Sequence, residues 1–459
     1  MHSNHRPRFH FTAPRNWLND PNGLIQINGV YHLYYQHNPS GAFWGNMHWG
    51  HAVSQDLLHW EHQPLAMFPD QPYDRFGVFS GCAVLNNGVP TLVYTGVQTD
   101  AGYQTQLPCV ATSHDGLISW HKHPANPVIA HAPAGVKPSD FRDHTIWKDA
   151  DSDDWLMAIG ASFEGQTGAA LLYRSADLVQ WQYLGPLIKD AAGVGHMWEC
   201  PDFFELGGQH VLIISPIPLR KTVQLVGQYS QHRFTPRHTA THVYGGCFYA
   251  PQSFWDEHGR RVQFGWLWEK DVAANHPNPR GWAGAMSLPR ALSFSADGVL
   301  LAQPVAEIAT LRHEHKQHRL QVSGLQALPN ISGDCLEVIV RFDNIHAERF
   351  GLCMRRSPDG AEQTRIMCSR ADQHVFVDRT RSSAQASAEN ADEPCPYPIS
   401  KKPVTLRIFV DRSVIEVYVD DGRACIIDRV YPSRADSVGV AVFAEGGPVA
   451  AQVDAWSLA

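Results

Sequence analysis

Ser54-Gln-Asp-Leu-Leu-His-Trp60, Ser113-His-Asp-Gly-Leu-Ile-Ser-Trp120 and Ser175-Ala-Asp-Leu-Val-Gln-Trp181 are three versions of one phrase, Ser-x-Asp followed by Trp. They recur about every 60 residues, a longer period than the 40–50 of the better-known propeller repeats. Each copy follows an apolar strand-like run: Trp49 to Val53, Cys109 to Thr112, and Ala169 to Arg174. The phrase therefore reads as a turn between two antiparallel strands, with Asp capping the turn and Trp opening the next strand. Ser253-Phe-Trp-Asp-Glu-His-Gly259, before Arg261 to Trp266, is a weaker fourth copy. About 300 residues at this spacing make about five units, and a repeated four-stranded unit predicts a β-propeller of about five blades. A β-sandwich or β-helix with coincidental Trp turns is the competing reading.

The pattern stops near Leu300. The stretch 303–318, QPVAEIATLRHEHKQH, is the most helix-like piece of the chain and reads as a linker. Alternating strands then return in Cys335 to Phe342, Val404 to Val410, Ser413 to Val419 and Val438 to Phe443. Leu406 to Val419 alternates around an Asp-Arg turn, the pattern of a hairpin. This half predicts a β-sandwich of about 140 residues. The expected layout is all-β: a five-bladed β-propeller over 1–302, a helical linker over 303–318, and a C-terminal β-sandwich over 319–459. The Ser/Ala/Glu-rich piece from Arg381 to Glu393 reads as an exposed loop.

Composition agrees with many short strands. The chain has 459 residues, with 14 Trp, 14 Tyr, 20 Phe, 36 Gly and 31 Pro, and lacks the Ala/Glu/Lys/Leu runs of long helices. The net charge of −8 and the absence of a Lys/Arg block argue against a nucleic-acid partner. No run of about 18 apolar residues and no signal-peptide pattern appear, so no membrane partner and a cytoplasmic location are expected. The nine cysteines are odd in number, widely spread and without CxxC pairs, which suits reduced thiols. Among 26 histidines, His48-Trp-Gly-His51 and the group His313, His315 and His318 lack a third ligand at a convincing spacing, so neither a metal nor a cofactor is expected. Oligomeric state is not legible from the sequence.

Three acidic clusters stand in unusual settings. Asn19-Asp20-Pro21-Asn22-Gly23, between Trp17 and the run Leu24 to Ile27, is either a plain tight turn or a carboxylate held beside an aromatic wall. Arg142 beside Asp143 is either a surface ion pair or part of a site. Glu199 lies between Trp198 and Cys200, where an ionised carboxylate is costly unless a partner satisfies it. Cys200 itself reads as a small packing residue.

The sequence resembles glycoside hydrolase family 32, the invertases, levanases and sucrose-6-phosphate hydrolases, over nearly its whole length. The phrases that carry the resemblance are WLNDPNG at 17–23, YQHNP at 35–39, HWGHAVSQDLLHW at 48–60 and FSG at 79–81. They continue with FRD at 141–143, WECPDFFEL at 198–206, FYAPQSF at 248–254 and GWAGAMSLPR at 281–290. The resemblance implies a five-bladed propeller followed by a β-sandwich, as read above. It further implies a retaining β-fructofuranosidase that takes a terminal β-linked fructose from sucrose or a related fructoside. Asp20 would be the nucleophile, Glu199 the acid/base and Asp143 the transition-state stabiliser. Asn19, Gln36, Ser80 and Arg142 would hydrogen-bond the sugar, while Trp44, Phe79, Tyr249 and Trp266 would shape the walls. Gln36 and Ser80 can equally be strand-end groups satisfied by backbone, and Trp44 ordinary packing.

Retaining glycosidases need two carboxyl groups about 5–5.5 Å apart, one attacking and one protonating the leaving oxygen. Asp20 is then expected ionised, helped by backbone N–H donors, and Glu199 protonated by an apolar wall and neighbouring carboxylates. One departure stands out: the family's third motif usually reads Arg-Asp-Pro, and here it is Arg142-Asp143-His144. The change frees the backbone and adds a titratable imidazole beside the site. Sucrose-6-phosphate hydrolase, fructan exohydrolase and fructosyltransferase are alternatives on the same site. A non-catalytic sugar-binding propeller would require loss of an essential carboxylate, and none is lost.

Overall fold

In the computed structural model of the chain, residues 5–100, 103–189, 193–383, 394–400 and 402–458 are described. The loop expected over Arg381 to Glu393 lies, from 384 onward, outside the described residues. Consecutive antiparallel strands fold into five four-stranded units, each laid down in chain order. In the first, Asn16–Ile27, Val30–Asn38, His48–Ser54 and Glu61–Met67 run from the inside outward. The innermost strands of the five units are Asn16–Ile27, Gly77–Asn86, Val136–Lys148, Met197–Leu206 and Phe248–Trp255. Each touches the innermost strands on either side, and the last touches the first, so the ring closes as a five-bladed propeller.

The Ser-x-Asp phrase marks the turn between the third and fourth strands of the first three blades. In the first copy Ser54 Oγ donates to Asp56 Oδ1 (3.0 Å), which also accepts the backbone N–H groups of Leu58 (2.9 Å) and His59 (2.8 Å). Asp115 and Asp177 repeat the pattern, and Leu57, Leu117 and Leu178 all take positive φ. Trp60, Trp120 and Trp181 each stand immediately before the fourth strand. The supposed fourth copy is different. Ser253 lies within the first strand of blade five, and the turn after Trp255 leads to the second strand, Arg261–Leu267. The equivalent turn of that blade is Ser295-Ala-Asp297-Gly-Val299, between Arg290–Phe294 and Leu300–Pro304, with the Ser and Asp but no Trp. Blade four turns at Gln231-His232 without the phrase.

The expected helical linker holds a single 3-10 turn, Ala306–Leu311. Arg312 already opens a strand of 21 residues that pairs with the C-terminal strand Gly439–Leu458. The charged, helix-favouring stretch 312–318 is strand because a long ladder satisfies its backbone, which outweighs local propensity. The C-terminal strand switches sheets: its second half pairs with Cys335–Asp343 and its first half with Arg349–Arg356. One continuous ladder thereby folds over into a β-sandwich around a core that includes Val338, Val340, Phe350, Ile366, Ile408 and Val442.

The hairpin Val404–Asp411 and Val414–Val419 alternates in sequence, yet every residue of its second strand is buried. Ile415, Val417 and Val419 face the sandwich core. Val414 and Tyr418 pack with Phe204, Val211, Leu292 and Ile308 of the propeller and its exit turn. Glu416, between them, points to the propeller side. The two domains therefore share a hydrophobic interface. A short parallel bridge, Tyr244 and Gly245 against Ile426 and Ile427, also joins blade four to the sandwich.

The N-terminal segment is clasped by this interface. Asp411 accepts the backbone N–H groups of Arg8 (2.7 Å), Phe9 (2.9 Å) and His10 (2.9 Å). His10 bridges two buried carboxylates, with Nδ1 2.9 Å from Asp411 and Nε2 3.3 Å from Glu416. Burial alone would lower its pKa, but hydrogen bonds to Asp411 and Glu416 raise it from 6.5 to about 9. Replacing His10 by Ala leaves buried carboxylates without their cation and is expected to cost about 3–5 kcal/mol. Because the folded pKa is raised, the His10 contribution is full below pH 6.5 and lost as pH rises through about 9. Urea unfolding of wild type and His10→Ala between pH 6 and pH 10 checks this; the difference between them should shrink at the alkaline end.

Candidate active site

All five innermost strands break register at one level. The extra residues fall at Asp20 in the first blade, Ser80 in the second, Asp143 in the third, Cys200 in the fourth and Ala250 in the fifth. Asp143, Cys200 and Ala250 have φ of 55°, 48° and 47°, a region that non-glycine residues rarely occupy. Bulges of this kind re-aim a side chain. Here they turn residues far apart in sequence toward one point on the propeller axis.

Asp20 accepts Ser80 Oγ at Oδ2 (2.6 Å) and Asn19 Nδ2 at Oδ1 (3.0 Å). Trp17 Nε1 donates to Asn19 Oδ1 (2.7 Å) and so fixes that amide. The Cys200 thiol lies 3.6 Å from both Asp20 Oδ2 and Asp143 Oδ2, and the Cys200 backbone N–H donates to Asp143 (3.2 Å). Arg142 donates to Glu199 Oε1 (2.6 Å) and to Gln106 Oε1 (2.9 Å), with its Nε 3.5 Å from Asp143. The Tyr249 hydroxyl lies 2.7 Å from Glu199 Oε2 and 3.0 Å from the Ser215 carbonyl. The three carboxyl groups thus share one chain of contacts.

Of the other expected residues, Gln36 is buried and donates to the Val78 carbonyl (3.0 Å), the backbone-satisfied alternative, beside Phe79 and Ser80. Trp44 is 43% exposed and meets Phe79 edge-on at 6.0 Å, so it is a rim residue rather than core packing. Trp266 packs edge-on against Trp17 (5.7 Å) and Tyr249 (6.5 Å), and both it and Phe79 pack on the small cluster of Trp17, Met47 and Ala283. Three participants carried no local signal. Gln106 and Thr95 lie on outer strands of blade two, and Thr95 Oγ1 links the Ser80 carbonyl to the Asp143 N–H. Cys200 is not simple packing, since it touches two of the three acids.

The electrostatics differ from expectation in two ways. First, the donors to Asp20 are side chains, not turn N–H groups. Burial raises its pKa, and the Ser80 and Asn19 hydrogen bonds only partly offset this. Second, the wall around Glu199 is polar, because Arg142 and Tyr249 hold its two oxygens. Burial pushes Asp143 up to about 7, Glu199 and Asp20 add to the rise, and Arg142 opposes it. Burial and the neighbouring carboxylates likewise keep the Cys200 thiol well above its usual range. The Arg142 guanidinium contacts Asp143 and Glu199 and does not reach Asp20, so it does not offset the burial of both aspartates. His144 is not a titrating neighbour at all: burial lowers its pKa to about 3, and the ring is neutral across the working range.

Elsewhere, His51 stacks on Tyr34 and lies 3.0 Å from His32, while His48 faces the Asn46 carbonyl. The two do not converge.

A raised carboxyl pKa means that the folded state binds the proton more tightly than the unfolded chain. The penalty for Asp143 begins near pH 4 and is complete above about pH 7. Asp143→Asn should therefore raise stability, by about 1–2 kcal/mol at pH 8 and by less at pH 5. Thermal melts at the two pH values check the sign and the order.

Against known proteins, residues 10–304 match the Glycosyl hydrolases family 32 N-terminal domain and residues 307–457 the Glycosyl hydrolases family 32 C terminal region. The chain is 38% identical to a sucrose-6-phosphate hydrolase of Escherichia coli, covering 96% of this chain and 94% of the relative. It is 36% identical to a raffinose invertase of Escherichia coli, with 96% and 92% covered. The crystal structure of fructan 1-exohydrolase IIa from Cichorium intybus superposes with a TM-score of 0.90 at 30% identity, covering 99% of this chain and 97% of that one.

Proposed function

The chain belongs to glycoside hydrolase family 32, and from that premise we propose that Asp20, Glu199 and Asp143 perform its fructosidase reaction in the roles of nucleophile, acid/base and stabiliser. The activity is β-fructofuranosidase: hydrolysis of a terminal non-reducing β-D-fructofuranosyl group, with retention, by double displacement. The observation that carries the residue roles is the single contact chain joining three acids on three different blades through Cys200 and Arg142.

The Asp20 carboxylate attacks the anomeric carbon of fructose while Glu199 gives its proton to the leaving oxygen. The bond between that carbon and oxygen breaks as the fructosyl–Asp20 ester forms. Glu199, now a base, takes a proton from water, whose oxygen attacks the same carbon and releases Asp20. Asp143 grips two ring hydroxyls with hydrogen bonds that tighten as positive charge develops. Those hydroxyls favour the ionised form of Asp143 when sugar binds. Arg142 keeps the acids close together, and the Tyr249 hydroxyl orients Glu199. Trp44, Phe79, Tyr249 and Trp266 wall the sugar.

Sucrose is the substrate proposed first. Sucrose 6-phosphate is the second reading, favoured by the name of the 38% identical relative. The difference lies on the leaving-group side, outside the fructose pocket. The cytoplasmic placement is supported by buried free thiols at Cys82, Cys109, Cys335, Cys353, Cys368 and Cys425. Among the described residues no helix is long and apolar enough to cross a membrane.

Asp20→Asn should lower kcat by about 10⁴-fold or more with the fold intact; residual turnover of a few per cent would remove Asp20 from the nucleophile role. Glu199→Gln should cost sucrose about 10²–10⁴-fold, and an aryl fructoside with a good leaving group far less. Equal losses would contradict proton donation by Glu199. A kinetic panel of sucrose, sucrose 6-phosphate, raffinose, 1-kestose and inulin, with product analysis at high sucrose, should give free fructose as the main product. Dominance of fructose-containing trisaccharides would mean a transferase.

A further inference from the structure

The reaction leaves His144 without a task, although it follows Asp143 directly. The bulges of blades one, four and five each place proline after the residue at site level: Pro21, Pro201 and Pro251. Proline fixes φ and removes an N–H, which stiffens a bulge. Blade three has His144 at that place, behind an Asp143 held at a φ of 55°. Its bulge must be supported in another way.

His144 is 3% exposed, and neither ring nitrogen has a hydrogen-bond partner among the described residues. Asn22, on the first blade, is wholly buried; its Oδ1 accepts the Gly81 N–H (3.2 Å), and its Nδ2 is likewise unpartnered. Both residues line one small cavity on the propeller axis, beneath the carboxylates, with Asp143, Thr145 and Asp202 also in its wall. The space suits about one water molecule. Buried donors and acceptors of this kind are rarely left unsatisfied. The charged neighbours do not call for an ion. Asp202 is committed to Arg261 (3.2 Å) and Ser253, Asp143 to Arg142 and Cys200, and the imidazole is neutral.

We propose that His144 and Asn22 hold an ordered water in the axial cavity, and that this water-tied imidazole is the positioning element for Asp143 where blades one, four and five have proline. The water accepts from Asn22 Nδ2 and exchanges one hydrogen bond with the His144 ring. This pins the residue after Asp143 to the first blade, and so fixes Asp143 relative to Asp20. The inference rests on the stabiliser role proposed for Asp143.

A crystal structure of the full chain at high resolution is expected to show a water peak about 3 Å from both Asn22 Nδ2 and a His144 ring nitrogen. His144→Leu, similar in bulk but without polar atoms, should lower kcat on sucrose about 3–10-fold with KM within about 2-fold. His144→Gln, which can hold the water, should recover most of that loss. Native density with no such peak, or a Leu variant kinetically equal to wild type, would overturn the proposal. Should the Leu variant fail to fold, the native density and the Gln variant decide. Absence of fructose release by the native protein would instead defeat the reading of the activity, and would leave the water site standing.

Discussion

An unbroken antiparallel strand sends successive side chains to its two faces, and in a propeller those faces are covered by neighbouring blades. The axis is met only by strand edges, whose backbone groups carry no catalytic chemistry. A site on the axis therefore needs the innermost strands to break their ladders. Here all five do so at one height, with the extra residue at Asp20, Ser80, Asp143, Cys200 and Ala250. The positive φ values at Asp143, Cys200 and Ala250 are the local cost of that shared break, which the surrounding blades hold in place. Every contact of the site follows from it.

The second consequence is electrostatic. Bringing three carboxyl groups together around one guanidinium cannot favour the folded chain, and burial pushes both Asp20 and Asp143 upward. Arg142 limits the cost by contacting two of the acids and by being tied to Gln106. Cys200 adds a neutral donor between the other pair. Buried in this way, Asp20 and Asp143 hold their protons more tightly than a free carboxyl group does. A resting state that is strained in charge is what a double displacement can use.

The repeated Ser-x-Asp turns were legible because the capping chemistry is local: each Asp needs only its own next few backbone N–H groups. The same locality explains the error at Ser253, where a similar string closes a different hairpin. It also explains why Ser295-Ala-Asp297, lacking the Trp, does not stand out in the sequence. The stretch 312–318 misled because its ladder partner lies about 140 residues away, and no local preference reports a distant pairing. Asp20, Asp143 and Glu199 stand out through the resemblance, not through their surroundings, which by themselves leave each open. Thr95, Gln106 and the bridging role of Cys200 depend on which outer-strand positions the bulges bring near the axis. That information is in the fold and not in any short segment.

Ring closure joins the fold to the site. The four strands of each blade come from one stretch of the chain, and the seam between blades five and one is closed by a short backbone bridge together with side-chain contacts. Asn16 and Trp17 make a two-residue parallel bridge to Trp282 and Ala283, Phe11 accepts the Met286 N–H, and Gln252 accepts the Leu24 N–H while donating to Gly81 of blade two. Just upstream of that strand, Asp411 and Glu416 of the sandwich clasp residues 8–10. Asp20 lies three residues beyond Trp17, on the strand that forms the seam. A loosened seam would move Asp20 relative to Asp143 and Glu199 before it exposed much core. The sandwich, which contributes none of Asp20, Asp143 and Glu199, is tied through Asp411 and Glu416 to the segment that leads into this strand.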